Sequence, residues 1–278
     1  MSRPAEDARG RTAPPSPPGR TAKDGPHLNL PLRGEDVRPL PTHTGRGSAA
    51  GPADERELIL LGGGGLAREL IGYATASLAA EDGLADAKPF RVVGVLDDGM
   101  DQGDDVDGVP VLGKMADAGR VAADKPDARF VLAISAPHTY MHRPDISRRA
   151  GLERERYATY LMPGAHIAAS ARIGRGGVLY PGVVIGANAV IEDHVQVWPN
   201  VVVSHDCRVR EYATIAAAAV LNGVVDVGRG AYIGAGALVR EKLSVGENAL
   251  VGMGAVVLRD VPAGHVVVGA PANYLRDA

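Results

Sequence analysis

The strongest constraint on this chain is a six-residue period that runs without a break through its C-terminal half. From Ile167 to Val257 every sixth residue is Ile, Leu or Val, sixteen times in succession. An α-helix repeats every 3.6 residues and a simple strand every two, so neither produces a strict six. A short fixed period is typical of a solenoid, in which each unit buries its apolar face against its neighbours. The period therefore predicts a parallel β-helix of hexapeptide repeats.

The other columns of the repeat agree with this interpretation. Two residues before each aliphatic stands a small residue or Val in almost every unit, as at Ala165, Gly177 and Ala249. The positions after the aliphatic are rich in Gly, Asn and Asp, which tolerate the left-handed backbone of tight corners. Sixteen hexads make about five coils of three strands. A solenoid needs a polar cap, which we expect from residues 269–272 and a short polar helix after them.

One cluster of residues that could take part in catalysis, Ser204-His205-Asp206-Cys207, interrupts this regular background. His205 stands two residues after Val203, at a corner where the side chain points outward. A neutral imidazole is the usual general base near pH 7, and an adjoining carboxylate can orient it. Asp206 is expected either to orient the imidazole of His205 or only to adopt the corner conformation. Cys207 falls on the inward column and is expected to pack rather than react.

The remaining histidines of the repeat region give weaker signals. His166 and His194 are expected at surface positions of the coils, and His265 lies past the last regular hexad. A zinc site of the β-helix carbonic anhydrase type needs three converging histidines, two of them close in sequence. Arg210 stands where the close partner of His205 would be needed, so we predict no metal.

The region before the repeats alternates strand and helix patterns. Residues 58–61 read as a buried strand, followed by four glycines, Gly62 to Gly65, and a helical stretch over 68–80. Strand, glycine turn and helix in this order place backbone N–H groups where a phosphate can bind. The alternative is that the glycines only permit tight packing. With a second mononucleotide-binding half missing, a mononucleotide or nucleotide sugar fits better than NAD.

Two further strands complete this unit. The strand at 91–96 ends in Asp97 and Asp98, and the strand at 130–135 ends in Ser135; a helix is expected from about 144 to 151. Carboxylates at the C-terminal edge of a parallel sheet can accept hydrogen bonds from ribose or base. We therefore predict an α/β Rossmann-like unit over residues 56–160, followed by the β-helix over 161–278.

Composition limits the remaining possibilities. Residues 1–55 hold ten of the twenty prolines and no apolar period, which predicts a disordered tail. The net charge of −3 without a basic cluster argues against nucleic acid and against an acidic membrane surface. A single cysteine excludes an internal disulfide framework. No apolar run reaches the ~18 residues that cross a bilayer, so a soluble, cytoplasmic protein is expected.

Seven segments, in order and spacing, resemble the sialic-acid O-acetyltransferase type of sugar acyltransferases, which includes N-acetyltransferases of UDP-amino sugars. The match runs from about Leu58 to Arg276. Its segments read LILLGGGGLAREL, RVVGVLDD, GVPVLG, SHDC, VVDVGRGAYIGAGALV, ENALVGMGAVVLRDVPAG and VVVGAPA. The resemblance implies a left-handed β-helix, a homotrimer, acetyl-CoA as acyl donor in the groove between neighbouring coils, and a nucleotide-sugar acceptor in the α/β unit.

The resemblance also assigns roles to individual positions. It implies His205 as the base that deprotonates the acceptor amine or hydroxyl and Asp206 as its orienting acid. The residues implied at the thioester and pantetheine of CoA are Thr214, Ala235 and Met253. Those implied at the acceptor are Gly64, Gly65, Leu66, Asp97, Asp98 and Ser135.

Several positions depart from the family pattern. Thr214 stands where a second His is usual, Leu66 where the glycine loop usually carries His, and Ser135 where Gly is usual. Arg210 and the segment 240–242 also differ. A Thr hydroxyl can donate a hydrogen bond but never as a cation. Two alternatives therefore stay open beside the sugar acyltransferase: a non-catalytic trimeric scaffold that binds a nucleotide sugar, and an acyltransferase for a non-sugar metabolite.

Overall fold

The computed structural model describes residues 55–81 and 87–278, so the predicted disordered tail lies outside the described residues except for Glu55. The α/β unit is a parallel sheet in the strand order β5-β3-β1-β6, with β4 paired antiparallel to β5. Its elements are β1 (Arg56–Leu61), α1 (Gly65–Tyr73), β2 (Leu78–Ala80), β3 (Lys88–Leu96), β4 (Asp105–Val106), β5 (Val109–Gly113), α2 (Ala118–Asp124), β6 (Arg129–Leu132) and α3 (Arg143–Ala150). Short 3₁₀ turns lie at Ala74–Ala76, Met115–Asp117, Tyr140–His142 and Arg154–Arg156.

The predicted helix over 68–80 is wrong in its second half. α1 ends at Tyr73, and Leu78–Ala80 form β2 instead. This strand pairs antiparallel with β3 on one side and with β7 (Thr159–Leu161) on the other. Both partners are distant in sequence, so the pairing that overrides the helical composition leaves no local signal.

The C-terminal half is the predicted coil, a left-handed parallel β-helix. Sixteen two-residue strands, β8 to β23, follow one another at six-residue spacing from His166–Ile167 to Val256–Val257. Strands 18 residues apart pair in parallel, as Val178 does with Gln196. Three sheets result: sheet one (β7, β10, β13, β16, β19, β22), sheet two (β8, β11, β14, β17, β20, β23) and sheet three (β9, β12, β15, β18, β21). β2 and β7 join sheet one to the sheet of the α/β unit.

The aliphatic column of the repeat faces the inside of the coil, as the period predicts. Val203, Val209 and Ile215 are all fully buried. Cys207 also points inward and is 1% exposed, which confirms its packing position. Each inward residue touches those of the coils above and below, so the core is a stack of thin layers rather than a single cluster.

The end of the coil differs from the prediction. No polar helix follows residue 272; β24 (His265–Val268) extends sheet one, and β25 (Asn273–Asp277) pairs antiparallel with it. The last parallel strand has an open edge with unpaired backbone N–H and C=O groups. A strand that returns along this edge gives these groups hydrogen-bond partners.

The outward faces of the three sheets have different characters. Sheet one lies against the α/β unit, which buries Gln196 and Thr214 completely. Sheet three carries charged side chains that pair with each other, such as Arg210 with Asp226 at 2.7 Å. Sheet two presents a column of apolar side chains to solvent; its members are Val184, Val202, Val220, Leu238 and Val256.

Neither a membrane span nor a metal centre is found in the residues that the structure describes. None of their helices has the length and apolar content to cross a bilayer. The same residues contain no group of three or more His, Cys, Asp or Glu side chains arranged to hold a metal ion.

Candidate active site

The candidate base lies at the corner between sheets two and three. Ser204 to Cys207 form the turn after β14, and Asp206 adopts a left-handed backbone with φ of 57°. Asn188, one coil earlier, has the same conformation with φ of 58°. Asn and Asp tolerate this conformation better than other side-chain-bearing residues, so the corner residue types agree with the corner geometry.

His205 points away from the coil, and 61% of its side chain is exposed. Its Nδ1 lies 2.9 Å from Oδ2 of Asp206, and the other carboxylate oxygen accepts a hydrogen bond of 3.1 Å from Asn188 Nδ2. When Nδ1 carries the proton and donates it to Asp206, Nε2 is left with its lone pair facing solvent. This pair can therefore take a proton from an approaching amine or hydroxyl.

The hydrogen bonds from His205 and Asn188 also lower the pKa of Asp206 below its usual range. The carboxylate stays ionised at neutral pH as a result. An anion beside Nδ1–H fixes the tautomer and stabilises the imidazolium that forms when Nε2 takes a proton. Asn188, which holds Asp206, was not predicted from the sequence, although it lies one 18-residue coil before Asp206.

Gly223, one coil after His205, is a second residue that sequence analysis missed. A Cβ placed there would lie 2.6 Å from both Cε1 and Nε2 of His205. The imidazole therefore rests against the bare backbone of the next corner. A spacing of 18 residues from His205 is the signal that would have revealed it.

The three residues predicted to contact the acyl donor, CoA, do not all lie together. Ala235 and Met253 share one exposed corner between sheets one and two, one coil apart, and Met253 is 82% exposed. This corner and the His205 corner lie on opposite edges of sheet two. Thr214 lies on sheet one, fully buried, where its Oγ1 accepts a hydrogen bond of 3.1 Å from Arg143. The α/β unit covers Thr214, so the structure does not bring it to the exposed corner of Ala235 and Met253.

Arg143 of α3 anchors the α/β unit on sheet one. Its guanidinium is buried and donates to the carbonyl oxygens of Tyr212 and His194, both at 2.6 Å. Desolvation lowers its pKa to about 9, which leaves the group charged at neutral pH. This cation is therefore held by backbone carbonyl dipoles and not by a carboxylate.

His194 was expected at the surface, and this is wrong. It is 6% exposed, stacked on Tyr212 with ring centroids 4.7 Å apart and edge-on to Tyr157 at 4.5 Å. Burial, followed by the nearby Arg143, lowers its pKa to about 4. The α/β unit covers a position that the hexapeptide pattern alone places outside.

The C-terminal edge of the α/β sheet leaves open space at the start of α1. Gly62 has φ of +115° and lies so close to Ala133 and Ile134 that any Cβ would clash. Gly64 and Gly65 have open space above them, at the start of α1, where the helix has no side-chain cap. Uncapped N–H groups facing open space can bind an anion.

The acidic residues at this edge hold the neighbouring loops. Asp97 accepts hydrogen bonds of 2.7 Å from the backbone N–H groups of Gly63 and Gly99, so it holds the glycine loop. Asp98 accepts a hydrogen bond from the N–H of Met115 and pairs with Arg149 at 3.2 Å. Both carboxylates thus already have protein partners.

The remaining predicted acceptor residues, Leu66 and Ser135, follow β1 and β6, which are neighbours in the sheet. Leu66 is half-buried and packs against the core, at the start of α1. Ser135 follows β6, and its Oγ is buried without a hydrogen-bond partner among the described residues.

Comparisons with known proteins agree with this architecture. The family model of the bacterial transferase hexapeptide (six repeats) matches residues 188–223. No curated protein sequence matches the chain. Among solved structures, the acetyltransferase domain of PglB from Neisseria gonorrhoeae is 28% identical, with a TM-score of 0.66, over 80% of this chain and 100% of that one.

Two other solved structures have the same arrangement. GDP-perosamine N-acetyltransferase from Caulobacter crescentus, in complex with CoA and GDP-perosamine, is 28% identical with a TM-score of 0.68, over 80% of this chain and 97% of that one. WeeI from Acinetobacter baumannii is 26% identical with a TM-score of 0.62, over 79% of this chain and 100% of that one. The unbroken hexapeptide coil and these likenesses identify the chain as an acyltransferase of the hexapeptide-repeat class that is similar to the sugar acetyltransferases.

Proposed function

We propose that the chain transfers an acetyl group from acetyl-CoA to an amine or hydroxyl of a nucleotide sugar, with His205 as the general base. The observation that carries this proposal is the exposed His205–Asp206 pair at the edge of the apolar face of sheet two. The relatives support the substrates: a PglB structure contains acetyl-CoA, and the Caulobacter structure contains CoA with GDP-perosamine.

The proposed reaction is a direct transfer. The acceptor nitrogen or oxygen attacks the thioester carbonyl carbon while Nε2 of His205 removes its proton. The tetrahedral intermediate then collapses, the C–S bond breaks, and the imidazolium returns the proton to the leaving CoA sulfur. No covalent enzyme intermediate is required, because the neighbouring Cys207 points into the coil and burial raises the pKa of its thiol.

The acceptor binds, in this proposal, at the C-terminal edge of the α/β sheet. The uncapped N–H groups at the start of α1 would hold the phosphates, with the open space over Gly64 and Gly65 admitting them. Asp97 and Asp98 would hold the loops beside the acceptor through their backbone contacts.

The apolar face of sheet two supports a homotrimer. Val184 and Leu238 are 39% and 43% exposed in the single chain, and a column of such residues favours burial against another copy. In a ring of copies joined through this face, one edge of the face meets the opposite edge of the neighbouring copy. The His205 corner of one copy would then face the Ala235–Met253 corner of the next, and acetyl-CoA would lie between them.

Replacement of His205 by Ala tests the assignment. A positioned base contributes ~10²–10⁴-fold in rate, so kcat should fall by that order while the Kd for acetyl-CoA stays unchanged. His265→Ala, which removes an imidazole at the C-terminal end of the coil, is the control and should keep full activity. Unchanged turnover in His205→Ala would refute the base assignment.

Titration of the wild-type chain with acetyl-CoA by calorimetry separates this function from a scaffold role. Binding at micromolar to low millimolar concentration is expected. Absence of binding would favour the non-catalytic scaffold. A screen of acceptors with detection of released CoA thiol then distinguishes nucleotide sugars from non-sugar metabolites.

A further inference from the structure

β25 lies at the free end of sheet one, and its outer edge is open. Among the described residues, no strand lies on the side of β25 that faces away from β24. All five residues of β25 are exposed, and its two large apolar side chains, Tyr274 and Leu275, are 56% and 58% exposed. An open sheet edge offers its unpaired N–H and C=O groups to another strand. Apolar side chains on such an edge favour a contact that removes them from water.

The backbone of β25 is available for this contact at its centre and at its C-terminal end. Leu275 has no partner on β24, because the register between the two strands shifts at this point and leaves one residue of β25 over. The N–H of Ala278 donates to the carbonyl of Gly264 at 2.7 Å. Residues of an antiparallel strand point their backbone groups alternately toward and away from the partner strand. The N–H and C=O of Asp277 therefore face away from β24.

The sequence of β25 is complementary to itself when two copies run antiparallel. With Leu275 opposite Leu275 of the second copy, Tyr274 lies opposite Arg276, and Asn273 lies opposite Asp277. The phenol ring and the guanidinium form a cation–π pair, and the amide donates a hydrogen bond to the carboxylate. Each favourable cross-strand pair contributes ~0.2–1 kcal/mol, and two-fold symmetry forms both of these pairs twice.

Other registers of the same pairing are less favourable. Shifts by two residues keep the alternation of the strand, so these are the competing alternatives. A shift toward the C-terminus places Arg276 opposite Arg276 of the second copy, and like charges directly opposite each other destabilise a sheet. A shift the other way brings Pro271 into the ladder, where proline has no N–H to donate. The register centred on Leu275 is therefore favoured.

We propose that β25 pairs antiparallel with β25 of a second copy of this chain, centred on Leu275, so that sheet one continues from one copy into the other. The occupant is a second copy because β25 itself supplies the charge and the apolar side chain that each of its residues needs opposite. The contact uses the end of sheet one and leaves the apolar face of sheet two free for the proposed ring of copies. The particle then contains six copies if a ring of three forms, and two if it does not.

Leu275→Asp tests the pairing, because it places two carboxylates opposite each other at the centre of the contact. In sedimentation equilibrium, the wild-type particle should have twice the mass of the Leu275→Asp particle. Tyr73→Asp is the matched control: it introduces the same side chain at a residue of α1 that is 43% exposed, and it should keep the wild-type mass. Equal masses for wild type and Leu275→Asp would overturn the proposal. The masses do not depend on acetyl transfer, so a failure of the acyltransferase proposal leaves this test intact.

Leu275→Cys tests the register. The native cysteine, Cys207, is buried and does not compete. Residues directly opposite each other in an antiparallel pair have Cα atoms about 4.5–5.5 Å apart, within the ~4.4–6.8 Å that a disulfide spans. Mild oxidation should therefore link two chains, seen as a dimer on a non-reducing denaturing gel, whereas Tyr73→Cys should stay monomeric. A halved mass in Leu275→Asp without a disulfide in Leu275→Cys would overturn this register. A strand from the same chain on this edge would give neither the halved mass nor the disulfide, and the proposal would be wrong.

Discussion

Gly223→Ala tests whether the position of the His205 ring determines catalysis. The added Cβ would lie 2.6 Å from Cε1 and Nε2 of His205. Non-bonded carbon atoms rest at about 3.5–4.0 Å, so the ring must retreat by about 1 Å. Because the His205 side chain is mostly exposed, it can move without disturbing the core, and the free energy of unfolding should stay nearly unchanged.

A displacement of about 1 Å at a catalytic group can reduce the rate about 10²-fold. We therefore expect kcat of Gly223→Ala to fall about 10²-fold in an assay of CoA thiol release, with the Kd for acetyl-CoA unchanged. Gly72→Ala is the matched control, because that glycine lies in α1 with open space around it. It should keep full activity.

A double variant shows whether the loss acts through His205. In Gly223→Ala with His205→Ala, no imidazole remains to be displaced, so the rate should equal that of His205→Ala alone. Two residues in contact give such non-additive effects. Full activity of Gly223→Ala, or a further 10²-fold loss in the double variant, would refute the reasoning.

Three more predictions concern the carboxylate, the buried imidazole and the buried cation. Asp206→Asn removes the carboxylate that orients the His205 ring and stabilises the imidazolium, so kcat should fall about 10-fold in the thiol-release assay; an unchanged kcat would leave Asp206 only a corner role. His194 has a pKa of about 4 in the folded state, against the usual ~6.5 expected in the unfolded state. Between these two pH values the unfolded state therefore binds more protons than the folded state. Stability should therefore fall by up to ~3 kcal/mol as the pH drops through this window, and His194→Phe should flatten this dependence in urea titrations. Arg143→Met leaves two carbonyls and Thr214 without their donor, so the free energy of unfolding should fall by about 3 kcal/mol; a loss below 1 kcal/mol in the same titrations would contradict the anchoring role.

The repeat itself could be predicted from sequence because its information is local. The position of a residue within its hexad predicts whether its side chain points inward. One register therefore predicts the coil, the inward Cys207 and the outward His205. The neighbours of His205 follow from the same register only once the coil length of 18 residues is applied. Asn188 and Gly223 become visible as partners at that step.

What escaped prediction depends on packing between distant segments. The hexapeptide pattern makes Thr214 and His194 outward-facing, and they are, but α3 and Tyr157 then cover them. The pattern carries no information on which of the three sheets the α/β unit will cover. Leu78–Ala80 became a strand for the same kind of reason, since its partners lie in β3 and β7.

The central claim is that acetyl transfer takes place between the His205 corner of one copy and the Ala235–Met253 corner of the next. Complementation between two inactive variants tests it directly: His205→Ala lacks the base, and Ala235→Phe blocks the exposed donor corner. When the two are refolded together in equal amounts, a site is intact only if one copy supplies His205 and its neighbour supplies Ala235. Random mixing in a ring gives about one quarter of intact sites, so the account predicts about a quarter of wild-type acetyl transfer. A mixture as inactive as the separate variants would contradict it.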